Sequence, residues 1–154
     1  MKWNNEDMEM FIKAKEYVDT IVLPLYPITF DEKIQQTAGM TEFISLLSGH
    51  LERHFKGRLI LMPGFMYLKS ASEDELYQDI IKWEEEFLNK GFKYIYYLTS
   101  DIDWRRLENS LKGSLIWLPT IPLQKMDDKS RNTILEDQVK QLVELFTQKW
   151  HYVE

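Results

Sequence analysis

The chain has 154 residues, of which 44% are hydrophobic and 14% aromatic, a length and composition that fit one domain with a sizeable core, spanning residues 1–154. The formal net charge of −6 opposes binding to a phosphate backbone, and no basic cluster offsets it, so we expect no nucleic-acid partner. The absence of cysteine excludes disulfides, thiol catalysis and thiolate zinc sites.

Short apolar runs alternate along the chain with segments of helical periodicity. In chain order, the sequence predicts a short first helix, a strand at 18–24, a helix at 41–56, a strand at 58–63, a helix at 72–90, a strand at 92–99, a helix at 102–112, a strand at 114–119 and a C-terminal helix reaching Trp150. The predicted strands are apolar at successive positions, which is typical of strands covered on both faces. We therefore predict an α/β fold: a Rossmann-like, three-layer α/β/α arrangement with a four-stranded, mostly parallel sheet and helices on both faces.

Apolar stripes along the helices predict which side of each helix faces the core. The inward-facing residues are predicted to be Met8, Phe11 and Ile12 in the first helix and Leu76, Ile80, Trp83 and Phe87 in the helix at 72–90. We interpret the run Glu84, Glu85 and Glu86 as the solvated face of the latter helix.

The connections differ in length at the two edges of the predicted sheet. Helix-to-strand joints are tight, whereas the strand-to-helix joints at 25–40, 64–71 and 120–129 are long. Open α/β sheets bind ligands outside the carboxyl ends of their strands, so this edge is the predicted functional face. The alternative is that long surface loops merely tolerate insertions.

Candidate site residues follow from that edge. Asp101 and Asp103 come just after the third predicted strand, where carboxylates could bind a metal or transfer a proton, although N-capping of the next helix is the simpler interpretation. Tyr26 and Tyr67 belong to an aromatic and proline-rich rim that could receive a flat ligand or a partner protein. The remaining candidate residues in the loops of this edge are Asp31 and Thr120.

Other recognisable chemistry is sparse. His50 and His54 have a spacing that could clamp a metal, but the glutamate between them is misplaced for a zinc-protease motif, and packing roles are favoured. No glycine-rich nucleotide loop and no nucleophile elbow occurs in the sequence. We therefore assign no catalytic residue, no metal ligand and no cofactor.

Several segments resemble a known family. Trp3 with residues 15–20 and 23–25, and a second stretch at 55–59 and 61–63, are similar to the YpiF-like family of uncharacterised proteins from Gram-positive, spore-forming bacteria. The resemblance implies a cytoplasmic bacterial protein without an assigned activity, so no site residue is carried over from it.

Two hypotheses about function remain open. The first is a non-catalytic binding or protein-interaction module that uses the carboxyl edge of the sheet, with a protein partner or a second copy of itself. The alternative is a small-molecule hydrolase or transferase with Asp101 and Asp103 as acid/base groups or Mg²⁺ ligands. The longest apolar stretches fall short of the ~18 residues of a membrane span, so we predict a cytoplasmic protein without one.

Overall fold

The structure, a computed structural model, describes the chain from residue 1 to residue 152. The α-helices are α1 (Asn5–Lys13), α2 (Ile34–His54), α3 (Glu73–Asn89) and α4 (Asp128–Tyr152). The strands are β1 (Thr20–Ile28), β2 (Leu59–Leu61), β3 (Phe65–Leu68), β4 (Tyr94–Thr99) and β5 (Ser114–Trp117). Three 3₁₀ helices complete the described elements: Lys15–Tyr17, Ile102–Ser110 and Leu123–Lys125.

All five strands pair in parallel in one sheet, with the order β2-β1-β4-β5. The strand β3 also pairs with β1, further along it than β2 does, so β2 and β3 follow one another beside β1. This confirms the predicted α/β class and the parallel sheet, although the sheet has five strands rather than four. Parallel strands gather all their carboxyl ends at one edge, as the sequence argument requires.

The first strand continues past Pro24, where the predicted strand ended, and also includes Pro27, which was expected in the following loop. Backbone hydrogen bonds alternate between the two neighbours of β1, and the carbonyl of Val22 faces β2 through Met62 N–H at 2.9 Å. By the same alternation the nitrogen of Pro24 points to the side of β2 and β3, where it faces the gap between these two strands. The nitrogen of Pro27 points to the side of β4, but it lies beyond the last residue of β1 that pairs with β4. Neither proline therefore removes a ladder hydrogen bond.

The predicted connections at 25–40 and 64–71 are consequently wrong in extent. The chain leaves β1 at Ile28 and enters α2 at Ile34, and the second segment contains β3. Between β2 and β3, Gly64 has φ of 138° and lies against the ring of Tyr26, where a Cβ atom would collide with that ring. This position requires glycine on both counts.

One face of the sheet is covered by α2 and α4. Its core contains Val22 and Leu98 from the strands, Leu47 from α2 and Leu142 from α4, all buried. At its centre the ring of Phe146 stacks on Tyr96 with centroids 3.7 Å apart. We call this the α2–α4 face.

The opposite face carries a second core built with α3, α1 and the 3₁₀ helix Ile102–Ser110, and we call it the α1–α3 face. Ile80 and Phe87 of α3 are buried there as predicted, and Met8 and Phe11 of α1 pack against it. Two predicted inward residues are instead exposed: Ile12 by 66% and Trp83 by 47%. No residue of α1 is fully buried.

The interpretation of Glu84 as a solvated residue is wrong. Glu84 is fully buried, and its carboxylate accepts hydrogen bonds from the Tyr97 hydroxyl at 2.6 Å and from the backbone N–H groups of Lys112 and Gly113, each at 2.9 Å. These donors explain why Glu84 turns inward while Trp83 turns outward, since a buried carboxylate needs such partners. The exposed neighbours Glu85 and Glu86 agree with the prediction.

Two further segments differ in detail from the prediction. The helix expected at 102–112 is the 3₁₀ helix Ile102–Ser110, and the connection at 120–129 contains the 3₁₀ turn Leu123–Lys125 before α4 begins at Asp128. Within the described part of the chain, none of the helices combines the length and apolarity that crossing a membrane demands.

Candidate functional site

Asp101 lies two residues beyond β4 and forms the centre of a polar cluster at the carboxyl edge of the sheet. The residue is only 4% exposed. Its Oδ2 accepts hydrogen bonds from the Tyr67 hydroxyl at 2.6 Å and from Lys69 Nζ at 2.9 Å. Its Oδ1 accepts the backbone N–H of Asp103 at 3.1 Å. Asp101 therefore caps the 3₁₀ helix and at the same time ties the end of β3 to it.

Lys69 supplies the positive charge of this cluster. Its Nζ lies 2.9 Å from Asp101 Oδ2 and 2.8 Å from Asp103 Oδ2, so one ammonium serves two carboxylates. Burial alone would lower the pKa of Lys69, but the hydrogen bonds to Asp103 and Asp101 outweigh it and the pKa lies above its usual value. The hydrogen bond from Lys69 also lowers the pKa of Asp103. Lys69 and Asp103 are thereby held in their charged forms.

Tyr67 and Trp104 close the inner side of the cluster. Burial raises the pKa of Tyr67, and the hydrogen bond to Asp101 raises it further, so the phenol stays protonated and donates. The two rings meet edge to face with centroids 5.2 Å apart. The indole N–H of Trp104 is buried and finds no hydrogen-bond partner among residues 1–152.

The cluster borders a cavity of about 160 Å³ between the end of β3 and the 3₁₀ helix. A general base needs a carboxylate oxygen that is free to accept a proton from the substrate. Asp101 already accepts three hydrogen bonds, and Asp103 is paired with Lys69. A metal ion would have to displace the Lys69 ammonium from both carboxylates. The arrangement is therefore suited to fixing the edge of the sheet.

The six predicted site residues all come from the carboxyl half of the sheet, but only some of them meet. Tyr67, Asp101 and Asp103 line the same cavity. Tyr26 lines a different cavity of about 270 Å³ beside α2. Asp31 is exposed and accepts the backbone N–H of Lys33 at 2.8 Å, and Thr120 is exposed beyond β5.

A larger opening lies on the α1–α3 face. It is an apolar groove of about 1320 Å³ between α1 and α3, which we call the α1–α3 groove. Its floor is formed by β1, β2 and adjoining residues, whose side chains are buried except for the half-buried Met62, and one wall is the start of β3. The side chains of the floor are Val18, Ile21, Leu23, Ile60 and Met62, and those of the walls include Phe11, Ile12, Phe65, Met66, Trp83 and Phe87.

Large apolar side chains at the rim of the α1–α3 groove reach solvent. Besides Ile12 and Trp83, Trp3 is 58% exposed and Met66 is 74% exposed. Isolated exposed apolar residues are ordinary, whereas these residues line one groove. Charges of both signs complete the lining: Lys15, Glu16, Glu86 and Lys90.

Sequence reasoning missed Lys69 and the α1–α3 groove. Nothing in the sequence pairs Lys69 with carboxylates 32 and 34 residues away, since only the sheet order brings β3 and β4 to the two sides of β1. For the groove a signal existed: the apolar stripe of α1 and Trp83 supply more apolar surface than these helices bury.

The two helical histidines contact an acidic side chain of the neighbouring helix. His50 Nδ1 lies 3.3 Å and His54 Nε2 3.8 Å from the carboxylate of Glu136 in α4. Within the described residues, no group of three or more histidine, cysteine or acidic side chains is arranged to hold a metal ion.

Fold and surface together define a parallel α/β protein with an apolar groove on one face of its sheet. The family model described as "Protein of unknown function (DUF2487)" matches residues 9–150, and the chain belongs to this family. It is 33% identical over 150 residues to the "Uncharacterized protein YpiF" of Bacillus subtilis (strain 168), covering 97% of this chain and 98% of that protein. The resemblance stated from the sequence is thus confirmed. No solved structure matches the chain.

Proposed function

We propose that this protein is a non-catalytic protein-binding module whose α1–α3 groove receives an amphipathic helix of a partner protein. The observation that carries the proposal is a large apolar groove between two helices, with apolar residues exposed along its rim. Its location in the cytoplasm stays a prediction from the sequence.

A helix is the occupant that the geometry favours. Parallel sheets are normally covered by helices on both faces. The α2–α4 face has helices of 21 and 25 residues, whereas α1 has only 9 residues and α3 has 17. A partner helix of ~12 residues, which is ~18 Å long, would match the length of a typical strand. It would lie parallel to its flanking helices, as helices on a sheet do.

The composition of the groove also favours a protein ligand. Phe11, Phe65 and Trp83 with Met62 and Met66 belong to the residue types enriched in the cores of protein interfaces. Methionine adapts its shape to irregular apolar partners, as in grooves that bind amphipathic helices. The volume exceeds the ~300–1,000 Å³ of common small-molecule pockets.

The alternative of a hydrolase or transferase has less support. It assigns acid/base or Mg²⁺ chemistry to Asp101 and Asp103, whose carboxylates share the ammonium of Lys69 as a hydrogen-bond donor. The Asp101 carboxylate also accepts a hydrogen bond from Tyr67. Activity there would require a substrate that displaces the ammonium.

A peptide selection tests the proposal. A phage-displayed library of 16-residue random peptides is selected on the immobilised full chain, and enriched peptides are titrated by fluorescence anisotropy. We expect apolar residues at i, i+3 or i+4, and i+7 in the enriched sequences. Ile12→Glu and Met66→Glu place a charge on the rim and should each weaken binding at least tenfold.

Phe30→Glu is the matched control, because Phe30 is 81% exposed and does not line the groove. It should leave the affinity unchanged. Enriched peptides without helical periodicity, or binding that both groove variants retain, would refute the proposal. Size-exclusion chromatography tests whether a second copy of the chain occupies the groove. A dimer that Ile12→Glu dissociates would show that the groove serves self-association instead.

A further inference from the structure

We infer a second binding site, at the outer edge of β5, which takes an extended acidic segment of a partner protein by adding it to the sheet as a further strand. This site is separate from the α1–α3 groove, since β5 lies at the far end of the strand order from β2. The inference does not depend on the function proposed above.

The backbone of β5 offers the hydrogen-bonding groups that strand addition requires. Leu118 N–H donates to the Thr99 carbonyl at 2.9 Å, so the backbone groups of the even-numbered residues of β5, Ser114 and Ile116, face β4. The N–H and C=O groups of Leu115 and Trp117 therefore face outward, and among the described residues neither backbone takes part in a hydrogen bond on that side. Two residues of the same parity are ~6.6 Å apart, the repeat of an incoming strand.

A groove of about 560 Å³ runs along this edge, so an added strand would be held on both faces. On one side lies Arg105 from the 3₁₀ helix, and on the other lie Leu145, Gln148 and Lys149 from α4. Leu145 is 49% exposed and offers an apolar contact for alternate side chains of the strand. Strand addition uses this combination of backbone hydrogen bonds and side-chain contacts.

The charge of this groove identifies the kind of segment that fits. The whole chain has a formal net charge of −6, yet the two charged residues among the described lining side chains are both cations, Arg105 and Lys149. The two cations repel the same basic edge of a second copy and attract acidic segments. We therefore assign the site to a partner segment with glutamate or aspartate at alternate positions.

Arg105 is already held beside the edge strand. The indole N–H of Trp117 donates to the Ser100 carbonyl at 3.0 Å, which fixes the ring at the end of β5. The Arg105 guanidinium lies 5.1 Å from the centre of that ring. A cation placed by a fixed aromatic ring loses less freedom when it pairs with a ligand carboxylate.

The test uses a labelled peptide of alternating glutamate and valine, seven residues long, with the lysine–valine peptide as its charge-reversed counterpart. The full chain is titrated by fluorescence anisotropy and by amide NMR. We expect the acidic peptide to bind and the basic one not to. Amides of Leu115 and Trp117 should shift and exchange at least tenfold more slowly with the acidic peptide, whereas those of Ser114 and Ile116 already face β4.

Arg105→Glu combined with Lys149→Glu should weaken acidic-peptide binding at least tenfold. The matched control, Arg53→Glu with Lys140→Glu, reverses two exposed cations elsewhere on the surface and should have no effect. Equal binding of both peptides, no slowing at Leu115 and Trp117, or the same affinity in the first double variant would overturn the inference. Protection of these two amides without peptide, in a dimer, would assign the edge to self-association and also overturn it.

Discussion

The two faces of the sheet are held in different ways. On the α2–α4 face, two long helices stack aromatic and aliphatic side chains on the strands, and the ring of Phe146 sits between Tyr96, Phe55 and Trp150. On the α1–α3 face, a short helix and one longer helix leave the α1–α3 groove between them.

On the α1–α3 face, buried polar groups add to a second apolar core. Glu84 fastens α3 to β4 and to the start of β5, and Asp101 fastens the end of β3 to the 3₁₀ helix. Hydrogen bonds of two buried carboxylates therefore supplement apolar packing on the face that carries the groove.

The largest expected effect on the free energy of unfolding comes from a residue on the α2–α4 face. Phe146→Ala removes a fully buried ring, so we expect a loss of about 3–5 kcal/mol in the free energy of unfolding. Ile12→Ala, on the rim of the groove, should change it by no more than about 0.5 kcal/mol. Urea unfolding followed by circular dichroism measures both. Similar losses for the two variants would abolish the distinction between the faces.

Glu84→Gln should produce the next largest effect, about 2–3 kcal/mol. The amide NH₂ would face one of three donors that now point at the carboxylate, leaving a buried N–H or O–H group unsatisfied. Glu85→Gln is the control on the adjacent exposed position and should be neutral. If Glu84→Gln is equally neutral, α3 is not held by this carboxylate.

Lys69→Met should cost about 1–2 kcal/mol at pH 7, because Asp101 loses a charge-assisted hydrogen bond. Asp103 has a folded pKa below its unfolded value near 3.9, so its share of stability is present above that pH and is lost as the pH falls through the folded pKa. The difference between wild type and Lys69→Met should therefore shrink below about pH 4. The exposed Lys82→Met should follow the wild-type profile, and a difference independent of pH would contradict the role of this ion pair.

The strands and their common direction could be predicted because both depend on local signals. Strands buried on both faces are apolar at successive residues, and glycine marks three of the tight helix-to-strand joints, at Gly57, Gly91 and Gly113. The full length of β1 could not be predicted, since whether Pro24 and Pro27 interrupt a ladder depends on where β2 ends and β4 stops.

The candidate site was predictable only in part, for a related reason. Capping by Asp101 is a local interaction and was foreseen, but its contacts with Tyr67 and Lys69 join segments more than 30 residues apart. The exposure of Trp83 and the burial of Glu84 depend on donors supplied by β4 and by residues 112–113. Helical periodicity alone places both residues close to the apolar stripe.

Amide hydrogen exchange of α1, measured with and without a selected helical peptide, tests most directly whether the α1–α3 groove receives a helix. We predict that α1, which has no fully buried residue, exchanges faster than α2 in the free protein. The peptide should slow exchange in α1 at least tenfold and leave α2 and α4 unchanged. An α1 that is already as protected as α2, and that the peptide does not affect, would contradict the account.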